Sequence, residues 1–466
     1  MNYDWIIGLK SELFTTLIIV VLLLIKLGKG MRNGSLLQIT QLLLLVNLAL
    51  AFGWNGNGFL FGNMFQTSQL FGFEKAILIA GVYLLVLVNH QWLEKQEHLP
   101  EFLVLMLSAL LGMQTMISAG NFLMLYLSLE LATIPVAAMA NFDLDKKRSS
   151  EAAMKMILSS ALSSGILLMG ISLLYGATGT IGFEVLPQAL KADNGLQLLS
   201  LVMIFAAFAF KLSAVPFHLW TADVYEGSPM PVTAFLSVVS KGAVAFVLTS
   251  TFYRAFQPMF ETWYQLLAII GLITIIIGNL FAIRQDNIKR MLAFSSIAQV
   301  GFVLIGISAN SPAGLASVIY FVLIYVFSNI AAFGVAAVIA AQTGSEQIDD
   351  YKGLYTNNKL LTWVMALALF SLAGIPPTAG FFGKFFLLTA GAVRADFWLV
   401  IIAALNMMVS LYYYLRVVRN MFSTETAQPT VIIPVTVKLG LYLCVAGILI
   451  TGIAGWIYDY IAMLNR

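Results

Sequence analysis

Stretches of about 20 mostly apolar residues, the length that crosses bilayer hydrocarbon as a helix, follow one another along the whole of this chain. Few folds tolerate that pattern. In lipid every backbone N–H and C=O has to be satisfied within the protein, so a spanning segment is a helix or a strand of a closed barrel, and runs of this length are helical. Fourteen spans are read, at 5–27, 36–54, 73–91, 101–118, 120–141, 151–176, 196–226, 229–252, 262–283, 289–308, 313–341, 359–390, 393–418 and 433–462. With 60% of its residues hydrophobic and 10% charged, the chain is expected to be an all-α, polytopic membrane protein. The opening MNYDWIIGLKSE lacks the basic, short-hydrophobic, small-residue pattern of a cleaved targeting peptide. The first helix is therefore expected to stay in the mature protein.

Orientation follows from the loops that carry Lys and Arg, because basic loops are held on the cytoplasmic side. Odd-numbered loops hold Lys29 and Arg32, Lys95, Lys146 with Lys147 and Arg148, Arg284 with Lys289 and Arg290, Lys352 with Lys359, and Arg416 with Arg419. Even-numbered loops offer Lys75, Lys191, Arg254 and Arg394. Odd loops are expected to face the cytoplasm and both termini the other side.

Two segments are too long for one straight span, 196–226 and 359–390, and both are interrupted. Pro216 breaks FKLSAVPFHLW, and Pro376 with Pro377 breaks GIPPTAGFFGK. Proline removes a backbone donor and evicts the carbonyl four residues earlier, so the carbonyls near Leu212, Leu372 and Ala373 are expected to lose their helical partners. In lipid such groups need protein or water, so broken helices line cavities. Paired breaks at matching places in two halves point to a transporter built from inverted repeats with its site near mid-membrane. The expected organisation is 1–100 for helices 1–3, 101–252 for a first five-helix repeat (4–8), 253–421 for a second (9–13) and 422–466 for helix 14.

Several ionisable groups sit at the depth hydropathy disfavours most, where each costs roughly 2.5–3.5 kcal/mol on insertion scales. Glu130 lies about ten residues from either end of helix 5, which at ~1.5 Å per residue is near mid-bilayer. Lys241 bisects helix 8, and Gln299 helix 10. Lys211 precedes Pro216 by five residues, and Lys384 follows Pro377 by seven. These five groups share one level. A snorkelling lysine is the bland alternative, but these stems are too central to reach either interface comfortably. Glu130 could equally neutralise a lysine in a static pair. Lys155, four residues after Glu151, is either an ordinary i,i+4 pair at the interface or a proton-entry group. His218, just after Pro216, is either a proton relay or a satisfied polar residue at a break. Burial disfavours an ammonium and a nearby carboxylate favours it, so a lysine poised between the two changes protonation when its partner moves. Glu130 is the candidate partner of Lys211, and protons are expected to pass from Lys211 to Lys241 and Lys384. Gln299, with Ser240, Ser295 and Ser296, would order the intervening waters.

The single cysteine, Cys444, and three scattered histidines, His90, His98 and His218, cannot build an iron–sulfur site or a plausible metal cluster. Redox cofactors, if any matter, belong on another chain. A net charge of +3 spread over loops implies no nucleic acid.

The stretches YLSLELATIP, SSEAAMKMILSSALSSGILLMGISLLYGATGT, FKLSAVPFHLWTADVYEGSPMPVTAFLSVVSK, IRQDNIKRMLAFSSIAQVGF, DDYKGL and GIPPTAGFFGKF strongly resemble the antiporter-like subunit N family of bacterial NADH:quinone oxidoreductase, respiratory complex I. The resemblance runs from about helix 4 to helix 13. It implies fourteen helices with two inverted five-helix repeats (4–8 and 9–13), discontinuous helices 7 and 12, a bacterial inner-membrane location with periplasmic termini, and other membrane-arm subunits as partners. It implies no cofactor in this chain, within a complex that uses FMN, iron–sulfur clusters, NADH and a quinone. It assigns proton-transfer roles to Glu130, Lys211, Lys241 and Lys384, and favours one for Lys155. Where SSIA-His is common in the family, this chain has Gln299, so water is expected to bridge that position. Mrp-type cation/proton antiporter subunits are the nearest rival, and they usually read closer to PxAHxxAPxxVSALL where this chain has TADVYEGSPMPVTAFLS. A stand-alone transporter of a small solute would need a substrate-sized polar pocket away from the lysine row, and the sequence offers no such set.

Overall fold

The computed structural model describes residues 4–28, 30–53, 56–392, 396–424 and 429–464. Lys29 and Arg394, counted above among the loop charges, lie outside the described residues. The principal helices are α1 (Lys10–Leu27), α2 (Asn33–Phe52), α3 (Gln69–Val88), α4 (Leu99–Ile117), α5 (Phe122–Ala140) and α6 (Lys147–Thr178). They continue as α7 (Gly195–Leu212), α8 (Leu219–Gly227), α9 (Met230–Ala255), α10 (Phe260–Ile283), α11 (Ile288–Ser308) and α12 (Pro312–Thr343). The last are α13 (Lys359–Ala373), α14 (Ala379–Gly391), α15 (Phe397–Met421), α16 (Val435–Ile453) and the short α17 (Trp456–Leu464).

Among the described residues, twelve helices are both long and apolar enough to cross a bilayer. The two remaining spans are legible on other grounds. α1 carries Lys10, Glu12 and Lys26 and so dilutes its apolar run, while α13 and α14 are each too short and together make the broken twelfth span. The chain is a multi-pass membrane protein. Polar side chains start several helices by accepting from first-turn N–H groups: Ser68 from Phe71, Asn121 from Met124, Asn194 from Leu196 and Gln197, and Asn287 from Lys289 and Arg290.

Boundaries depart from expectation in several places. The segment 433–462 is not one helix, because Ala454 and Gly455 separate α16 from α17. The stretch between α2 and α3 is not plain loop but contains an antiparallel hairpin, β1 (Gly58–Leu60) on β2 (Phe65–Thr67). Lys75 and Lys289 are not loop charges. They lie inside α3 and α11, 4% and 3% exposed, because each has a carboxylate partner that makes burial tolerable.

The inverted repeat is written in matched contacts. Gly112 of α4 lies so close to α5 that a Cβ there would stand 2.4 Å from the Ala132 amide nitrogen, and Gly278 of α10 would stand 2.6 Å from that of Ala298 on α11. Both contacts recur 166 residues on (Gly112 to Gly278, Ala132 to Ala298), the close small-residue packing that membrane helices favour. Helices α6 and α12 are each 32 residues long and end on left-handed glycines, Gly179 (φ 71) and Gly344 (φ 70). Thr178 and Thr343 back-bond to Leu174 and Ile339 and accept from the Thr180 and Ser345 amides. Single bridges then join Asn121 to Gly182 and Asn287 to Gln347. Since α4 follows an odd loop and α10 an even one, the two copies run in opposite senses across the membrane.

The centre of the bundle is α11, buried throughout, and α9, almost entirely so. Helices apolar all round belong in such positions. Lys241, Ser296 and Gln299 sit on these two, so the polar groups occupy the middle of the fold.

Candidate functional site

Both expected helix breaks are present. α7 ends at Ser213 in the left-handed region (φ 65), and α13 ends at Gly374 (φ 84). At the first break the Trp220 indole donates to the Phe210 carbonyl (3.2 Å), and the Val215 amide donates to Thr274 Oγ1 (3.0 Å). At the second break the freed carbonyls are those the prolines predict. Lys384 Nζ donates to the Leu372 carbonyl (2.7 Å) and reaches that of Ala373 (3.3 Å). Gln299 Nε2 donates to the same Leu372 carbonyl (2.9 Å) and to Tyr414 Oη (3.3 Å). An ammonium at the end of α13 also meets the negative end of that half-helix dipole. Break and charge therefore form one structure. Ser371 braces it, accepting from Ser328 Oγ (2.7 Å) and the Gly380 amide (3.2 Å).

Lys241 is 5% exposed and donates to Ser296 Oγ at 2.7 Å, with Nζ 5.5 Å from the Tyr225 ring centroid. A π-helical turn over Leu236–Ser240 immediately precedes it. Such turns rotate the following side chains relative to an α-helix and recur at functional sites. Ser296 and Gln299 are one turn apart on α11 and line, with Lys241 and Tyr325, a cavity of about 20 Å³. One water needs about 10–15 Å³. The gap between Lys241 and Gln299 is therefore water-sized.

Lys211 is half-buried and donates to Thr133 Oγ1 at 2.9 Å, one turn past Glu130 on α5. The expected direct pair with Glu130 is replaced by this hydroxyl contact. Glu130 is half-buried too, and its Oε1 has no hydrogen-bond partner among the described residues. A cavity of about 30 Å³ joins Lys211, Thr133 and Ser160 to Ser240, the neighbour of Lys241. The repeat spacing of 166 residues sets Glu130 opposite Ser296 and Thr133 opposite Gln299. The same two positions in each copy thus contact or flank a lysine.

Lys155 stands apart from this row. It is exposed, pairing with Glu151 (2.7 Å), as its spacing suggests, and with Asp223 of α8 (2.7 Å). Asp223 also pairs with Arg290 (2.9 Å), which pairs with Glu226 (2.6 Å). This ladder ties the second half of the broken seventh span to both α6 and α11. His218 is buried against Phe281, with ring centroids 6.2 Å apart, and neither ring nitrogen makes a hydrogen bond among the described residues. A cleft of about 640 Å³ opens beside the ladder on the odd-loop face. Lys146, Arg148, Glu226, Lys289 and Glu346 line it, and it reaches Ser228 and Met230 at the start of α9.

Sequence reasoning missed Thr133, Asp223, Tyr225, Tyr414 and Ser371. Each is an ordinary polar residue whose importance comes from what folds against it, and only Asp223, a charge inside a span, carried a signal that could have been followed.

A membrane bundle with two inverted repeats, two broken helices and lysines in its interior defines the antiporter-like class of ion-translocating subunits. Residues 119–410 match the family described as NADH:quinone oxidoreductase/Mrp antiporter, TM, and the chain belongs to that family. It is 44% identical over 468 residues to the NADH-quinone oxidoreductase subunit N of Phocaeicola vulgatus, covering 99% of both chains. It is 42% identical to the subunit N of Desulforamulus reducens, covering 86% of this chain and 84% of that one. Among solved structures it resembles a chain of respiratory complex I from Thermus thermophilus with bound aureothin, with a TM-score of 0.81, 26% identity, and 96% and 98% of the two chains covered. A chain of the Mrp complex from Dietzia shares the fold at 18% identity, with a TM-score of 0.86 and 100% and 97% covered.

Proposed function

We propose that this chain is the antiporter-like subunit N of an NADH:quinone oxidoreductase in a bacterial inner membrane. In this reading it moves protons while quinone reduction proceeds in partner subunits, and it carries no redox centre itself. The observation that carries the reading is the pair of hydrogen-bonded segments Lys241–Ser296 and Gln299–Leu372 carbonyl–Lys384, which meet across one water-sized cavity and are flanked by another that reaches back to Lys211. Every link is a proton donor, an acceptor or a space for water. Glu130 acts on Lys211 across Thr133, and movement of that carboxylate changes how strongly the ammonium is held. The cleft on the odd-loop face supports proton uptake from the cytoplasm, with the Lys155–Asp223–Arg290 ladder at its rim. His218, buried beside the first break, is read as a relay of protons toward Lys211.

Lys241→Ala is expected to leave the complex assembled and to lower the protons moved per electron sharply. An unchanged ratio in that variant would remove the pathway. The Mrp reading draws on the shared fold. Copurification separates the two: flavin and iron–sulfur subunits support the first, and sodium-linked activity without them supports the second.

A further inference from the structure

Away from the lysine row, a second group of charges is buried beneath the β1–β2 hairpin, on the even-loop side. Lys75 Nζ and the Glu12 carboxylate form a 2.5 Å ion pair, each side chain 5% exposed. Glu74, beside them on α3, is 1% exposed, and its Oε2 has no hydrogen-bond partner among the described residues. Lys10 of α1 stands at the half-exposed rim, where a cavity of about 10 Å³ is lined also by Ser11, Glu12, Thr67, Ser68 and Lys75. Around this group, α2 and α4 contribute uncharged Asn47 and Gln114, which hydrogen-bond to Thr15 and Ser11 of α1, and the hairpin contributes Phe65, whose ring centroid lies 5.2 Å from Lys75 Nζ.

Glu12 and Lys75 compensate each other in direct contact, and Lys10, at the half-exposed rim, is the second cation of the group. Glu74 is the second acid and the more deeply buried, in a place where each charged group is costly. Its unpartnered oxygen is a place where a proton can sit. Leu78 of α3 packs beside Gly242, the neighbour of Lys241. Glu74 and Lys75 stand one turn nearer the even-loop face, roughly 5 Å along the axis at ~1.5 Å per residue.

We propose that Glu74, held beside the Glu12–Lys75 pair, is a proton-holding site through which protons leave the lysine row toward the even-loop face; this rests on the proton-transfer reading of the row. The Lys241 ammonium gives its proton through water to the Glu74 carboxylate, so that an N–H bond breaks, an O–H bond forms, and a neutral amine and a neutral carboxyl remain. The carboxyl then passes that proton to water below Ser68 and Thr67 and returns to carboxylate. Lys241 is reprotonated from the row. Nothing is oxidised or reduced.

The test is made on the whole respiratory complex reconstituted in liposomes, reading protons moved per electron and the amount of assembled complex. Glu74→Gln is expected to assemble and to lower the ratio as far as Lys241→Ala does. A purely structural Glu74 would instead reduce the assembled amount and leave the ratio of what remains unchanged, which overturns the proposal. If Lys241→Ala lowers the ratio and Glu74→Gln does not, the exit site fails alone; if neither does, the reading of the row fails with it. Should Glu74→Gln not assemble, Glu74→Asp carries the test. Retracting the carboxyl by one methylene is expected to slow proton release by about a hundredfold, and an unchanged rate overturns the site.

Discussion

At the scale of single residues, the side chains that matter are those whose charge can change. A guanidinium does not give up its proton in proteins and an ammonium can, so lysine to arginine is the informative substitution. Lys211→Arg is expected to keep the cation near Thr133 and Glu130, leave the complex assembled and stop proton transfer, as read from pH changes in reconstituted liposomes. Gln299 bridges through its amide to the Leu372 carbonyl. Gln299→Leu should leave that carbonyl with Lys384 alone and lower the proton-to-electron ratio, whereas Gln299→His, able to carry the proton itself, should restore it. A leucine variant that pumps normally would take Gln299 out of the route. Much of this level was legible beforehand: Lys211, Lys241, Lys384, Glu130 and Gln299 stood out because charge and amide groups are expensive in the middle of an apolar run. Thr133, which holds Lys211, was invisible, and Ser296, which holds Lys241, was read only as a hydroxyl that orders water, because a hydroxyl in a helix costs little and is common. Glu130 was read as the partner of Lys211 from charge alone, and the hydrogen bond Lys211 makes is to the Thr133 hydroxyl one turn along the same helix.

At the scale of elements, proline made both broken helices readable and, at the second, the carbonyls that lose their partners as well. The Leu372 and Ala373 carbonyls accept from Lys384 as that reasoning requires. The π-turn before Lys241 and the β1–β2 hairpin have no comparable signature, since each is set by packing around it. Lys75 and Lys289 were misassigned to loops because hydropathy sees a charge near a span's end and cannot see the carboxylate that meets it from another helix. The second break has a mechanical prediction of its own. Ser371 receives both Ser328 and the Gly380 amide, so Ser371→Ala leaves a buried amide unsatisfied and is expected to cost about 1–3 kcal/mol. The check is thermal inactivation of the purified complex. Gly380→Ala should be worse, because a Cβ there would lie 1.7 Å from the Ser371 carbonyl oxygen; its expected outcome is loss of assembled complex.

At the scale of the whole molecule, two inverted copies meet along α9 and α11, and the polar chain crosses from one copy to the other through Lys241 and Ser296. The paired breaks hinted at this duplication, but stronger signs were present and unread. Thr178-Gly179-Thr180 and Thr343-Gly344-Ser345 repeat a helix ending, and Gly112 with Ala132 repeats as Gly278 with Ala298. Motifs of two or three small residues are too common to stand out without a structure to align them. The duplication explains why a proton can travel sideways: each copy brings a broken helix and a lysine to the same interior, and the junction between them is hydrogen-bonded rather than sealed. The most direct measurement is the proton-to-electron ratio of reconstituted complex carrying Lys384→Arg, a variant that keeps a cation at the Leu372 carbonyl but holds its proton. The ratio is expected to fall with assembly intact; a wild-type ratio in fully assembled complex would contradict the account.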